Sequence, residues 1–145
     1  MSNLVQLVYV SRALFNVSNN LSSVEPEVAR ILAVSRINNK KNGLVGVLYY
    51  GNSCFFQCLQ GEESAVDALY DRLHLDSRHK DIKLLSKTNI GQLSFSKWQM
   101  KYVSSDMDMK VLLASKGHTL FDPYKFKDDT VQAVLGLLKE SAAST

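Results

Sequence analysis

Cysteine is scarce here, and the two that occur, Cys54 and Cys58, stand four residues apart in one apolar run. On an extended strand that spacing separates their Cα atoms by about 13 Å at ~3.3 Å per residue, whereas a disulfide needs them within about 7 Å. They cannot bridge to each other, and core filling is the expected role. No apolar stretch approaches the ~20 residues needed to span a bilayer. The opening MSNLVQLVYV lacks a charged leading segment and a small-residue cleavage site, so it reads as a strand rather than an export signal, and the cytoplasm is the expected compartment. A basic arm is also missing: the net charge of +3 comes from Lys and Arg scattered along the chain. That argues against direct nucleic-acid binding and is compatible with a small anionic ligand. There is no Gly-rich phosphate loop, no G-x-S-x-G elbow, no H-E-x-x-H and no cluster of carboxylates, so an enzyme is not expected. His74 and His118 have no partners at metal-ligand spacing, and no metal site is assigned.

What is present suits one ordinary domain, since 145 residues with 46% apolar content can bury a real core. Residues 4–10, LVQLVYV, predict a strand covered on both faces. Ser22, Ser23, Glu25 and Pro26 open a helix, along which Val28, Ile31, Leu32, Ser35 and Asn39 fall on one face. Asn42-Gly43 is a left-handed stop for it. LVGVLYY (44–50), the turn residues Gly51-Asn52-Ser53 and CFFQCLQ (54–60) predict a hairpin. Gly61, Glu62 and Glu63 open a second helix with an inner stripe of Val66, Leu69, Tyr70 and Leu73, closing around Asp76-Ser77-Arg78-His79. Residues 82–90 and 98–103 are further strands. The order βαββαββ predicts an α+β, ferredoxin-like sandwich with two helices on one face of a five-stranded mixed sheet. Amphipathic segments at about 106–116 and 129–140 are expected to cover the other face or to meet another protein.

Gln57 is the anomaly in this pattern. It shares a strand face with Phe55 and Leu59, and an unpaired buried carboxamide costs roughly 1–3 kcal/mol. Something must pair with it. By the same alternation Tyr9 shares its face with Val5 and Leu7, and Met100 shares one with Trp98 and Tyr102. If these faces look toward the helices, Asn39 points back at them, and three hydrogen-bonding side chains converge in an apolar layer. Such a convergence suits a planar ligand bearing heteroatoms.

Tyr9 with Ser11 in LVYVS, Asn38-Asn39 ahead of NGLVGVLYY, the block FFQCLQGEE, DSRH at 76–79 and KWQM with Trp98 and Met100 together resemble the BLUF family of blue-light sensors that use FAD. The five blocks run in order from about residue 4 to residue 103. The resemblance implies a flavin-binding domain over 1–104 and a C-terminal helical extension over 105–145. It places the flavin ring between the two helices, with Asn39 on one carbonyl and N3 edge, Asn38 near the other carbonyl, and Gln57 between the flavin and the Tyr9 hydroxyl. Ile31 and Ser35 would line the ring, with Phe55 and Leu73 nearby. Asp76, Arg78 and His79 stand at the positions near the ribityl and phosphate tail.

In that reading Tyr9 is the photochemical donor, Gln57 the switch, and Trp98 with Met100 the relay to the C-terminal helices. The output goes to an unknown downstream signalling protein, and self-association into a homo-oligomer stays open. Two positions depart from the family pattern: Gln60 stands where many members have Glu, and Asn38 where some have His. The alternative from another class is a chromophore-free, ferredoxin-like regulatory or assembly module, which would be colourless.

Overall fold

The computed structural model describes residues 3–13, 26–75, 79–93, 101–102 and 106–143, with backbone alone for 26–32, His79, 101–102 and 142–143. In chain order the elements are β1 (Leu4–Ala13), α1 (Pro26–Asn42), β2 (Val45–Gly51), β3 (Cys54–Glu62), α2 (Glu63–Leu73), β4 (His79–Asn89), β5 (Lys101–Tyr102), α3 (Asp106–Ser115), a 3-10 turn (Pro123–Lys125) and α4 (Asp128–Ala143). The fold is α+β. The sheet runs β4-β1-β3-β2-β5, antiparallel through its first four strands and parallel where β5 joins β2.

Alternation along β1 and β3 sends successive side chains to opposite faces, and both faces are covered. On one face Val8, Val10, Val45, Val47, Cys54, Phe56 and Cys58 pack with Met109 and Leu113 of α3 and with Val131, Val134, Leu135 and Leu138 of α4. On the other, Val5, Leu7, Tyr9, Leu44, Leu48, Phe55 and Leu59 pack with Val66, and Leu69, Tyr70 and Leu73 of α2 close over them. Every residue from Val5 to Ser11 and from Cys54 to Gly61 is therefore buried. This is why the two central strands read as unbroken apolar runs.

Local chemistry sets the element ends. Gly43, at φ 70°, makes the expected left-handed stop after α1, and the Leu44 N–H donates to the Asn39 carbonyl at 2.8 Å. The hairpin turn is tighter than the sequence reading had it. Gly51 completes β2, and only Asn52 and Ser53 turn, both at positive φ (50° and 59°), as a two-residue loop matching strand twist requires. Gly46 faces Leu59 across the β2–β3 pair, where a Cβ would collide with the carbonyl of Cys58. Only glycine lets the strands close there.

Three boundaries move relative to the sequence reading. Gly61 and Glu62 extend β3, so α2 begins at Glu63. Its helical hydrogen bonding ends at Leu73, followed by a turn in which Leu75 N–H donates to the Arg72 carbonyl at 3.0 Å. His79 opens β4 instead of closing α2, because β1 runs on to Ala13 and pairs with it there. The β1–β4 register slips twice, and at the second slip Asp81 takes φ 54°, a bulge geometry.

Candidate functional site

Tyr9 and Gln57 are directly opposed in the β1–β3 pair. Both are buried, and the Tyr9 hydroxyl donates to the Oε1 of Gln57. The anomaly in β3 is thus resolved by its cross-strand neighbour. Direct pairs on one face of an antiparallel ladder hold their Cβ atoms about 4.5–5.5 Å apart, so the strand register itself holds phenol and amide together. Leu48 opposes Gln57 from the other flank, on β2. Gln57 consequently sits on the central strand between a phenol and an aliphatic chain. With Oε1 held by the phenol, the opposite end of the amide is a donor, and exchanging the two ends would reverse every hydrogen-bonding role at this point.

Apolar side chains surround the pair. Leu7–Leu59 and Ser11–Phe55 are the next cross-strand pairs on the same face. The Tyr70 ring of α2 meets that of Tyr9 edge to face at 5.8 Å between centroids, and Tyr50 tilts against Phe55 at 4.8 Å. Phe55 is fully buried and Leu73 packs at the margin of this cluster. Asn39, at the C-terminal end of α1, is a buried polar residue at 1% exposure, with Asn38 and Ser35 half-buried beside it. Ile31 lies on α1 and His79 at the start of β4, both described by backbone only. Asp76, Arg78, Trp98 and Met100 lie outside the described residues.

The residues present fit an isoalloxazine ring. Its polar edge alternates carbonyl acceptors with an N–H donor, and the donor set here consists of two buried carboxamides, Asn39 and Gln57, each able to meet either kind of group. Neither brings a charge that would have to be neutralised in an apolar layer.

The reverse side of the same strands carries a different polar pair. Gln60 donates from Nε2 to Oε1 of Gln6 at 2.8 Å, and the two are direct cross-strand partners. Gln60 is fully buried, and as an amide it needs no counter-charge there. Next to Gln57, Cys58 points to this side. Burial pushes its thiol up to about 12, against a weaker opposite pull from Lys139 of α4. Cys54 is likewise raised by burial, partly offset by Arg12. Both cysteines are free and buried, protonated at neutral pH and unreactive.

Several contacts were missed by reading the sequence. The Tyr49 hydroxyl donates to Asp106 Oδ1 at 2.8 Å at the start of α3, and Asn52 Nδ2 donates to the Phe121 carbonyl at 3.0 Å. The Arg12 guanidinium lies 4.4 Å from the centre of the Tyr124 ring and 3.5 Å from Asp81, while the Tyr124 hydroxyl donates to the Asp81 carbonyl at 2.7 Å. These pin the connection between α3 and α4 to the ends of β1, β2 and β4. The local turn signals there are Gly117, at φ 83°, and Asp122-Pro123.

A single-sheet α+β module with its polar centre in the layer between sheet and helix is the class this fold and site define. The family model for sensors of blue-light using FAD matches residues 4–101, and the chain belongs to that family, BLUF. Among relatives, photoactivated adenylate cyclase subunit beta of Euglena gracilis is 27% identical over 150 residues, covering 98% of this chain and 17% of that protein. The chain thus spans about a sixth of that relative. Among solved structures, the photo-activated state of BlsA superposes with a TM-score of 0.82 at 32% identity, covering 94% of both chains. BlrB, a BLUF protein in its dark state, gives 0.74 at 26% identity, covering 100% of this chain and 99% of that one. Residues 4–101 thus form a module of the blue-light sensor family. Among the described residues no helix is long and apolar enough to cross a membrane.

Proposed function

We propose that this chain is a blue-light receptor that binds FAD non-covalently beside the Tyr9–Gln57 pair and signals by rearranging the hydrogen bonds of that pair. The observation that carries the reading is the hydrogen bond from the Tyr9 hydroxyl to Gln57 Oε1, buried on the α2 side of the sheet. Asn39, with Asn38, would hold the carbonyl and N–H edge of the ring, and Ile31, Ser35, Phe55 and Leu73 would bound its faces. Asp76, Arg78 and His79 would meet the ribityl and phosphate tail. Bound there, the flavin would supply an excited state that is a strong one-electron oxidant.

Tyr9 is the group that can yield an electron, because its hydroxyl already has an acceptor for the proton that must leave with it. Gln57 would relay that proton, taking it at Oε1 and releasing one from its nitrogen end to the bound flavin. Its amide then has an incentive to change rotamer or tautomer, since its two ends have opposite hydrogen-bonding roles. Leu7, Leu48, Phe55 and Leu59 keep water away from the pair, so the rearranged bonds are not exchanged for solvent.

The output side is the opposite face. Phe56 and Cys58 flank Gln57 and pack beneath α3 and α4. Strain in β3 therefore reaches the C-terminal segment, which we take as a separate functional part over 105–145 beside a flavin-binding part over 1–104. Trp98 and Met100 remain the proposed relay through the last strand. The relatives include an adenylate cyclase subunit described as photoactivated. Here we propose a separate signalling protein as the receiver, in the cytoplasm. Incubating the purified chain with FAD tests this: a yellow protein whose absorption moves to the red under blue light and returns in darkness is expected, and a chain that takes up no flavin overturns the reading. Asn39→Ala should weaken flavin uptake, and unchanged affinity would show that the ring is held elsewhere.

A further inference from the structure

Tyr9 is not an isolated oxidisable ring. Tyr70 of α2 stands edge to face with it, 5.8 Å between centroids at 64°, and His74 stands one helical turn further on, 4.8 Å from Tyr70 and nearly perpendicular at 88°. Burial decreases in the same order: Tyr9 is 1% exposed, Tyr70 is half-buried and His74 is exposed. The rings form a short line from the buried pair to solvent at the C-terminal end of α2, where His74, the C-cap residue, keeps helical dihedrals and follows Tyr70 by one turn. Among the described residues, the other strand partners of the pair, Leu84 beside Tyr9 and Leu48 beside Gln57, are aliphatic and cannot give up an electron.

We infer that Tyr70 is a second electron donor, which refills an oxidised Tyr9 and carries the oxidising equivalent to the protein surface. The inference rests on the receptor reading, because the oxidant is the photoexcited flavin. Its balance is simple. Tyr9 has lost one electron to the flavin and one proton to Gln57. Before Gln57 has passed that proton on, Tyr70 gives one electron to the Tyr9 radical, Tyr9 recovers the proton at its phenol oxygen from Gln57, the Tyr70 hydroxyl releases its own proton to water at the half-exposed end of the line, and the electron first taken from Tyr9 stays with the flavin. Tyr9 and Gln57 return to their starting state, and a tyrosyl radical remains at position 70. Rings in edge contact exchange electrons rapidly, so this exit competes with return of the electron to Tyr9. Each event that takes it is lost to signalling.

The test is to illuminate the FAD-loaded chain with blue light in the presence of a nitroso spin trap and to locate adducts by peptide mass spectrometry. Adducts at Tyr70 are expected in the parent chain. They should fall to background in Tyr9→Phe, where the first hop is removed. In Tyr70→Phe, which keeps the ring packing, the adduct should vanish while flavin uptake and the red shift persist and bleaching under prolonged light slows. Flavin bound and shifting normally with Tyr70 unmodified would overturn this inference alone. Equal adducts at Tyr70 with and without the Tyr9 hydroxyl would overturn it too, by showing direct oxidation. A chain that takes up no flavin would overturn the receptor reading and this inference together.

Discussion

The two faces of the sheet are made by the same strands and do opposite work. On the α2 side, alternate residues of β1 and β3 place a phenol, an amide and the Phe55 ring around one hydrogen bond, with Tyr70 of α2 and Tyr50 of β2 against them, so the face is built around a group that can change state. On the α3–α4 side the intervening residues are valine, phenylalanine and cysteine, packed under two helices, and their polar exception, Gln6–Gln60, is a paired amide with no oxidisable partner in the pair. Because the side-chain period of a strand is two, a residue that switches and a residue that packs are never more than one peptide apart. Chemistry and mechanical cover can thus be joined without any long pathway.

If the faces differ in this way, variants should separate into those that cost stability and those that cost chemistry. The largest loss of stability is expected for Leu138→Ala, which empties a fully buried site between α4 and the sheet and should cost about 2–5 kcal/mol. Denaturant midpoints would read it, and flavin uptake below the transition should be retained. Next comes Gln60→Leu, which strips Gln6 of its donor at a buried site and should cost roughly 1–3 kcal/mol. The double variant Gln6→Leu/Gln60→Leu should recover part of that loss, and strict additivity in a double-mutant cycle would show that the pair does not act as a unit.

A further contrast is in thiol reactivity. With its thiol held at about 12 by burial, native Cys58 should react with a maleimide far more slowly at pH 8 than the same residue in unfolded protein. Rapid native labelling would mean that the α4 cover opens readily. The smallest effect belongs to the surface pair Lys116–Asp129, 3.3 Å apart, which ties α3 to α4. A hydrogen bond from Lys116 lowers the Asp129 carboxyl from its ordinary 3.8. A lowered folded-state value means that the contribution is present above 3.8 and is lost as pH falls through the depressed value. Lys116→Ala should flatten this shallow acid limb in thermal melts recorded against pH, and an unaltered limb would assign it elsewhere.

Legibility in the sequence followed the range of the physics. Strands β1 and β3 declared themselves because burial on both faces writes itself as continuous apolar sequence, and the end of α1 because Gly43 is needed at positive φ. The hairpin turn was read one residue too wide, since Gly51 suggests a turn, whereas its role is to end β2 close against the Tyr49 ring. His79 was read with the end of α2 because nothing local shows that β1 continues to Ala13 and recruits it into β4. Gln57 stood out as a polar residue in a core strand, but its partner is fixed by strand register, a non-local quantity, and only the resemblance named Tyr9. Tyr70 looked like any apolar stripe residue; its contact with Tyr9 depends on how α2 lies across the sheet. The same holds for Arg12 and Tyr124, whose contact no spacing rule predicts.

The central claim is that the Tyr9–Gln57 hydrogen bond is the switch. It is tested most directly by light-minus-dark absorption spectra of the FAD-loaded parent chain beside Tyr9→Phe and Gln57→Leu. The parent should show a reversible shift to the red, and both variants should bind flavin yet show none. A normal, reversible shift in either variant would contradict the account.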